Sequence, residues 1–105
     1  MNVQAMIKRF IPMSETMFYI LSSLTVERHG YGIMQHVENL TGGRLILGAG
    51  TVYQSLGKLE KEKLICVTRE IERRKEYLIT EAGTAVLKAE AARICALYEI
   101  AKELI

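Results

Sequence analysis

The segment GTVYQSLGKLEKEKLICVTREIERRKEYLIT, Gly50–Thr80, reads as a helix, a strand, a charged turn and a second strand. From Gly50 to about Glu62, Val52, Leu56 and Leu59 recur at the spacing of a helix with one buried face. Leu64–Val67, continuing toward Glu70, and Glu76–Ile79 read as strands, with Glu70–Lys75 as the turn between them. Thr80 stands where it can cap a further helix, and Glu81 in that helix's first turn suits the positive end of the helix dipole. A helix, a two-stranded hairpin and another helix make the second half of a winged helix-turn-helix.

Upstream lies the first half. Pro12 and Ser14 mark the start of a helix over about Glu15–Val26, with Met17, Phe18, Leu21 and Leu24 at helical spacing. Arg28–Gly32 reads as a turn. Ile33, Met34, Val37 and Leu40 then form the stripe of a second helix, which Gly42-Gly43 ends. Leu45-Ile46-Leu47 reads as a brief strand and Gly48-Ala49-Gly50 as another turn. Val3, Met6, Ile7 and Phe10 give Met1–Phe10 a helical pattern, expected to be an arm that packs on another subunit. The predicted fold is mainly α with a small β-hairpin. The arm and winged-helix domain occupy residues 1–80, the long C-terminal helix residues 81–105, and together they make one structural unit.

Composition narrows the function. The 105 residues are half apolar and a quarter charged, which suits one folded domain. The formal charge is only +2, so any nucleic-acid argument depends on where the charges sit. The chain has no aspartate, and its two histidines and two cysteines show no ligand spacing. No enzyme, metal or cofactor is expected. Cys66 and Cys95 read as small, half-buried packing residues of a reducing cytoplasm. His29 reads as fixing the turn before the second helix, and His36 as lying on a polar helix face. Met1–Phe10 lacks the apolar core of a secretory leader, and no apolar run approaches a membrane span.

The polar face of the third helix carries Thr51, Gln54, Ser55 and Lys58, flanked by Tyr53. Such side chains read base edges and meet phosphates. Gly50, in the helix's first turn, leaves backbone amides free for a phosphate. Arg73, Arg74 and Lys75 stand near the hairpin tip, with Arg69 on the neighbouring strand, where a basic wing can press on a DNA backbone. On the last helix, Val86, Ala89, Arg93, Ala96, Ile100 and Leu104 approximate one stripe. Leu87, Ile94, Leu97, Tyr98, Ala101 and Ile105 make another. A helix apolar on more than one side needs more cover than so small a domain supplies, and pairing with a second copy is the economical solution. Val86, Ala89, Arg93, Ala96, Leu97, Ile100 and Leu104 are the expected dimer contacts.

These residues, in this order, resemble the PadR family of bacterial and archaeal transcriptional regulators from about Pro12 to Ala85. The resemblance rests on His29-Gly30-Tyr31-Gly32-Ile33, on Leu47-Gly48-Ala49-Gly50-Thr51-Val52-Tyr53, on Leu56-Gly57-Lys58-Leu59-Glu60 with Leu64-Ile65, and on Arg73–Gly83. It implies a homodimeric repressor on an inverted-repeat operator in double-stranded DNA, with the third helix in the major groove and the wing on flanking DNA. It also implies a backbone contact from Tyr31. The single short C-terminal helix is similar to the family's compact branch, which includes multidrug-responsive repressors. That branch makes a small-molecule effector a candidate partner. The chain has no tryptophan on which a flat ligand could stack, so Tyr98 is the candidate pocket residue. The competing reading is a winged-helix protein-interaction module without specific DNA binding.

Overall fold

The computed structural model describes residues 2–105. Five helices and three strands follow in order: α1 (Val3–Phe10), α2 (Glu15–Ser23), β1 (Arg28–His29), α3 (Gly30–Leu40), α4 (Ala49–Lys61), β2 (Ile65–Ile71), β3 (Arg74–Ile79) and α5 (Glu81–Ala101). A 3-10 turn, Lys102–Leu104, closes the chain. The helix boundaries follow from caps. Ser14 Oγ accepts from the Met17 amide at 3.1 Å, and Thr80 Oγ1 accepts from the Gly83 amide at 3.1 Å. At the end of α3, Gly42 adopts φ +60°, and the Gly43 amide reaches back to the Glu38 carbonyl at 2.8 Å. The end of α4 is built the same way, with Lys63 at φ +63° and the Leu64 amide on the Leu59 carbonyl at 3.0 Å.

The apolar stripes of all the main helices meet in one core. Ile20, Leu21 and Leu24 of α2 and the turn after it pack with Ile33 and Val37 of α3, and with Val52, Leu56 and Leu59 of α4. Leu64, Ile65 and Tyr77 of the hairpin and Val86 of α5 complete it. Two sequence-based expectations need correction. Arg28–His29 is a strand and not a turn; it pairs antiparallel with β3, giving the sheet order β1-β3-β2. Leu45–Leu47 is no strand and pairs with none of the three. The segment is tied by the Leu45 amide to Thr41 Oγ1 at 3.1 Å and by the burial of Leu47. In the described chain, α1 is seated on its own domain. Met6 and Phe10 are buried in this chain's own core, α1 packs on α5, and Arg9 pairs with Glu62 at 2.7 Å.

The hairpin is longer and tighter than its charge pattern implies. The strands run to Ile71 and resume at Arg74, so the connection is only Glu72-Arg73. Both residues have positive φ, +52° and +68°, as a two-residue hairpin turn with the native twist requires. A shift of register between Val67 and Arg69 separates the two ends of the hairpin. Below it the hairpin packs on the core, and above it the wing projects with exposed residues from Arg69 to Lys75.

Candidate nucleic-acid interface

Helix α4 begins after Gly48, which gives no side-chain cap, and its first turn contains no acidic residue. Gly48, Ala49, Gly50 and Thr51 are all exposed there. Behind this turn, Val52, Leu56 and Leu59 are buried and fix the rotation of the helix. Thr51, Tyr53 and Gln54 therefore face outward. Ser55 is half-buried, and Lys58 lies toward α1, its ammonium 5.7 Å from the centre of the Phe10 ring.

Across from α4 stands the wing. His29, Tyr31, Tyr53, Tyr77, Glu72, Arg73, Arg74 and Lys75 line one cleft of about 420 Å³ between the helices and the hairpin. Strand alternation places Lys75 on the same face as Tyr77. Arg69 sits opposite Glu76, on the other face, and pairs with it at 3.1 and 3.3 Å. That guanidinium holds the Glu76 carboxyl below the usual carboxylate range. The predicted cluster is thus partly assembled: Tyr31, Tyr53 and the three basic tip residues share the cleft, Thr51 and Gln54 lie on the same helix as Tyr53, and Arg69 and Lys58 are engaged elsewhere.

Residue patterning missed two members of the cleft. His29 caps α3, its Nδ1 accepting from the Gly32 amide at 3.1 Å, and its ring lies parallel to that of Tyr31 at 6.4 Å. Tyr77 is buried, and that burial raises its hydroxyl pKa above the ordinary tyrosine value. Its inward alternation with Val67 and Ile79 was the available signal. Among the described residues no group of His, Cys or acidic side chains could hold a metal. Cys66 and Cys95 are both free and exposed, not half-buried as expected.

The expected dimer face divides along α5. Val86 leaves it, being fully buried in this chain's core. Ala89 is half-buried, and Arg93 holds the buried Glu90 carboxylate through two hydrogen bonds of 2.6 and 2.9 Å. From Cys95 onward every residue is exposed, including Ala96, Leu97, Tyr98, Ile100 and Leu104. Tyr98 does not line the cleft beside α4. Its ring lies 5.7 Å from the Lys102 ammonium. A separate groove of about 340 Å³ runs between the start of α2 and α5, past Met13, Phe18, Tyr19, Arg93 and Ile94.

The transcriptional regulator PadR-like family matches residues 18–89, the span from α2 to the first half of α5. The chain belongs to the PadR-like family. This is a family of transcriptional regulators and not of enzymes. The PadR-like chain is 32% identical over 82 residues to the transcriptional regulator YqjI of Escherichia coli. That match covers 77% of this chain and 40% of YqjI, so it spans about two fifths of that relative's length. Among solved structures, a PadR family transcriptional regulator from Eggerthella lenta superposes with a TM-score of 0.72 at 21% identity, covering 97% of this chain and 87% of that one. A PadR-like regulator from Bacillus cereus gives 0.72 at 23% identity, with 95% of each chain covered. Bacillus subtilis PadR in complex with operator DNA gives 0.61 at 25% identity, covering 71% of this chain and 46% of that one. No helix among the described residues is long and apolar enough to cross a membrane.

Proposed function

We propose that this PadR-like chain is a homodimeric repressor that binds an inverted-repeat operator through α4 and the wing. The observation that carries the reading is the cleft in which Tyr31 and Tyr53 face Arg73, Arg74 and Lys75, beside the outward Thr51 and Gln54. Aromatic hydroxyls and a basic hairpin suit phosphates, while Gln54 has the bidentate amide that suits adenine. The operator complex of Bacillus subtilis PadR supports the same use of the shared fold. Gly50 contributes backbone amides at the start of α4. Arg69 and Lys58 enter the reading as secondary contacts, since each must first leave its present partner.

Dimerisation rests on the second half of α5. Leu97, Ile100 and Leu104 are more than half exposed on a helix that leaves the core at Ile94. Pairing that segment with its copy, through Ala96, Leu97, Ile100 and Leu104, covers this apolar surface. It also sets two α4 helices toward successive major grooves about 34 Å apart. An effector that alters this spacing would release the DNA. The groove between α2 and α5 supports that extension better than Tyr98 does, because a ligand there would bear on both helices.

Glycine at position 57 adds support. It lies inside α4, on the exposed side, with nothing within 4 Å of where a Cβ would stand. A mid-helix glycine in open space costs about 1 kcal/mol of stability relative to alanine, so close approach of another molecule is a reason for it to be there. Gly57→Ala is expected to raise the melting temperature by roughly 5 °C and to weaken operator binding by about tenfold. A gain in stability with unchanged affinity would remove Gly57 from the interface.

The reading as a whole is tested by fluorescence anisotropy on duplexes from upstream of the gene, beside a scrambled duplex, over a salt series. Three wing cations on each of two subunits predict a log–log salt slope of roughly −5. Sequence-selective, salt-sensitive binding with two chains per duplex is the expected result. Salt-insensitive or absent binding, followed by an empty selection from random-sequence DNA, would leave the protein-interaction reading.

A further inference from the structure

Gly30 is the first residue of α3, and it is buried. Its backbone lies outside the left-handed region, so the main chain at this position does not call for glycine. What excludes a side chain is Tyr53. A Cβ at Gly30 would stand 2.6 Å from both Cζ and the hydroxyl oxygen of Tyr53, and 2.8 Å from its Cε1. The phenol of α4 therefore lies across the start of α3, held against bare backbone.

Packing alone does not explain a tyrosine here. The residue is 54% exposed, and among the described residues its hydroxyl makes no hydrogen bond. Tyr53 lines the same cleft as Arg73, Arg74 and Lys75. A tyrosine hydroxyl in a cleft that three cations also line suits an oxyanion, and on a DNA-binding face the oxyanion is a backbone phosphate.

We infer that Gly30 is a positioning residue: its missing side chain lets Tyr53 lean across α3 and present its hydroxyl to one phosphate at the cleft between α4 and the wing. This rests on the DNA-binding reading and deepens it by assigning one contact and the residue that aims it. The role of Gly30 is indirect, through Tyr53, and so predicts strong coupling between the two positions.

The experiment is a double-mutant cycle on a duplex selected from a random-sequence library with the wild-type protein. Gly30→Ala and Tyr53→Phe are each expected to weaken binding by about tenfold, the size of one charge-assisted hydrogen bond. The double variant is expected to bind like Tyr53→Phe alone, since a displaced ring without its hydroxyl has nothing further to lose. The steepness of the salt dependence should stay unchanged in both variants, because a neutral hydroxyl releases no counterion, whereas a variant that dislodged the wing cations would flatten it. Tyr53→Phe keeps the ring in place and so tests the phosphate contact even if Gly30→Ala unfolds the chain. Wild-type affinity in Tyr53→Phe, or losses that simply multiply in the double variant, would overturn the inference. Failure of the wild-type protein to select or bind any duplex would instead overturn the DNA-binding reading itself.

Discussion

Gly83→Ala is expected to lower the stability of the fold by about 3 kcal/mol or more, a drop of roughly 15 °C in melting temperature for a chain of this size. The reason is contact between backbones. A Cβ at Gly83 would fall 2.0 Å from the Leu64 carbonyl oxygen and 2.8 Å from Ile79 Cγ1. The oxygen cannot give way, because it accepts the Thr80 amide at 3.0 Å. Thr80 in turn donates its hydroxyl to the Lys63 carbonyl at 2.8 Å and accepts the Gly83 amide. The first turn of α5 is thus clamped onto the hairpin base and the end of α4. Alanine at this position must lever α5 away from both. Circular dichroism melts measure the effect, with Ala82→Gly as a neighbouring change expected to cost only about 1 kcal/mol. A shift of a few degrees for Gly83→Ala would mean that α5 does not seat on Leu64.

The second large effect belongs to Glu90. Its side chain is fully buried, yet it is not an unpaired charge. Oε2 accepts the Met13 amide at 2.7 Å, and Arg93 holds both oxygens. The carboxylate therefore ties the connection between α1 and α2 to the middle of α5. Glu90→Ala leaves a half-buried amide and a half-buried guanidinium without their acceptor and is expected to cost about 3 kcal/mol. Glu90→Gln, which keeps an acceptor but not the charge, should cost less.

The same group predicts a pH dependence. The Arg93 hydrogen bonds, opposed by burial and reinforced by the Met13 amide, hold the Glu90 carboxyl below the ordinary glutamate value. The folded state then binds this proton less readily than the unfolded state does. Its contribution is fully present above the ordinary glutamate range, near pH 4.5, and is lost as the pH falls through the lower folded value. Urea denaturation between pH 7 and pH 3 should show wild-type stability falling over the acid end of that range. Glu90→Gln should lack this component, and a parallel fall in both proteins would assign the acid sensitivity to other carboxylates.

Much of this molecule could be read before any coordinates. The caps at Ser14 and Thr80, the stop at Gly42-Gly43 and the stripes of α3 and α4 are local signals, with periods and hydrogen-bond partners inside a few residues. The wing's basic tip and the outward Thr51 and Gln54 were legible for the same reason. Contacts between distant segments were not. Arg28–His29 becomes a strand only because β3 offers it an edge, and Leu45–Leu47 pairs with no strand, its first amide held by the Thr41 hydroxyl instead. Lys58 belongs to the polar face of α4 by its spacing, but Phe10 of α1 draws its ammonium aside. Val86 fits an interface stripe by its spacing, but the domain's own core takes it first.

Glycine shows the division most clearly. Gly42 ends a helix through a backbone conformation that its own neighbours impose, and sequence alone determined that, as it determined the order of helices and hairpin. Gly30 and Gly83 have ordinary backbones, and their lack of a side chain answers to Tyr53 and to Leu64, residues far away in the chain. Only the tertiary structure decided those positions, because a steric limit set by a distant atom leaves no periodic trace in the sequence.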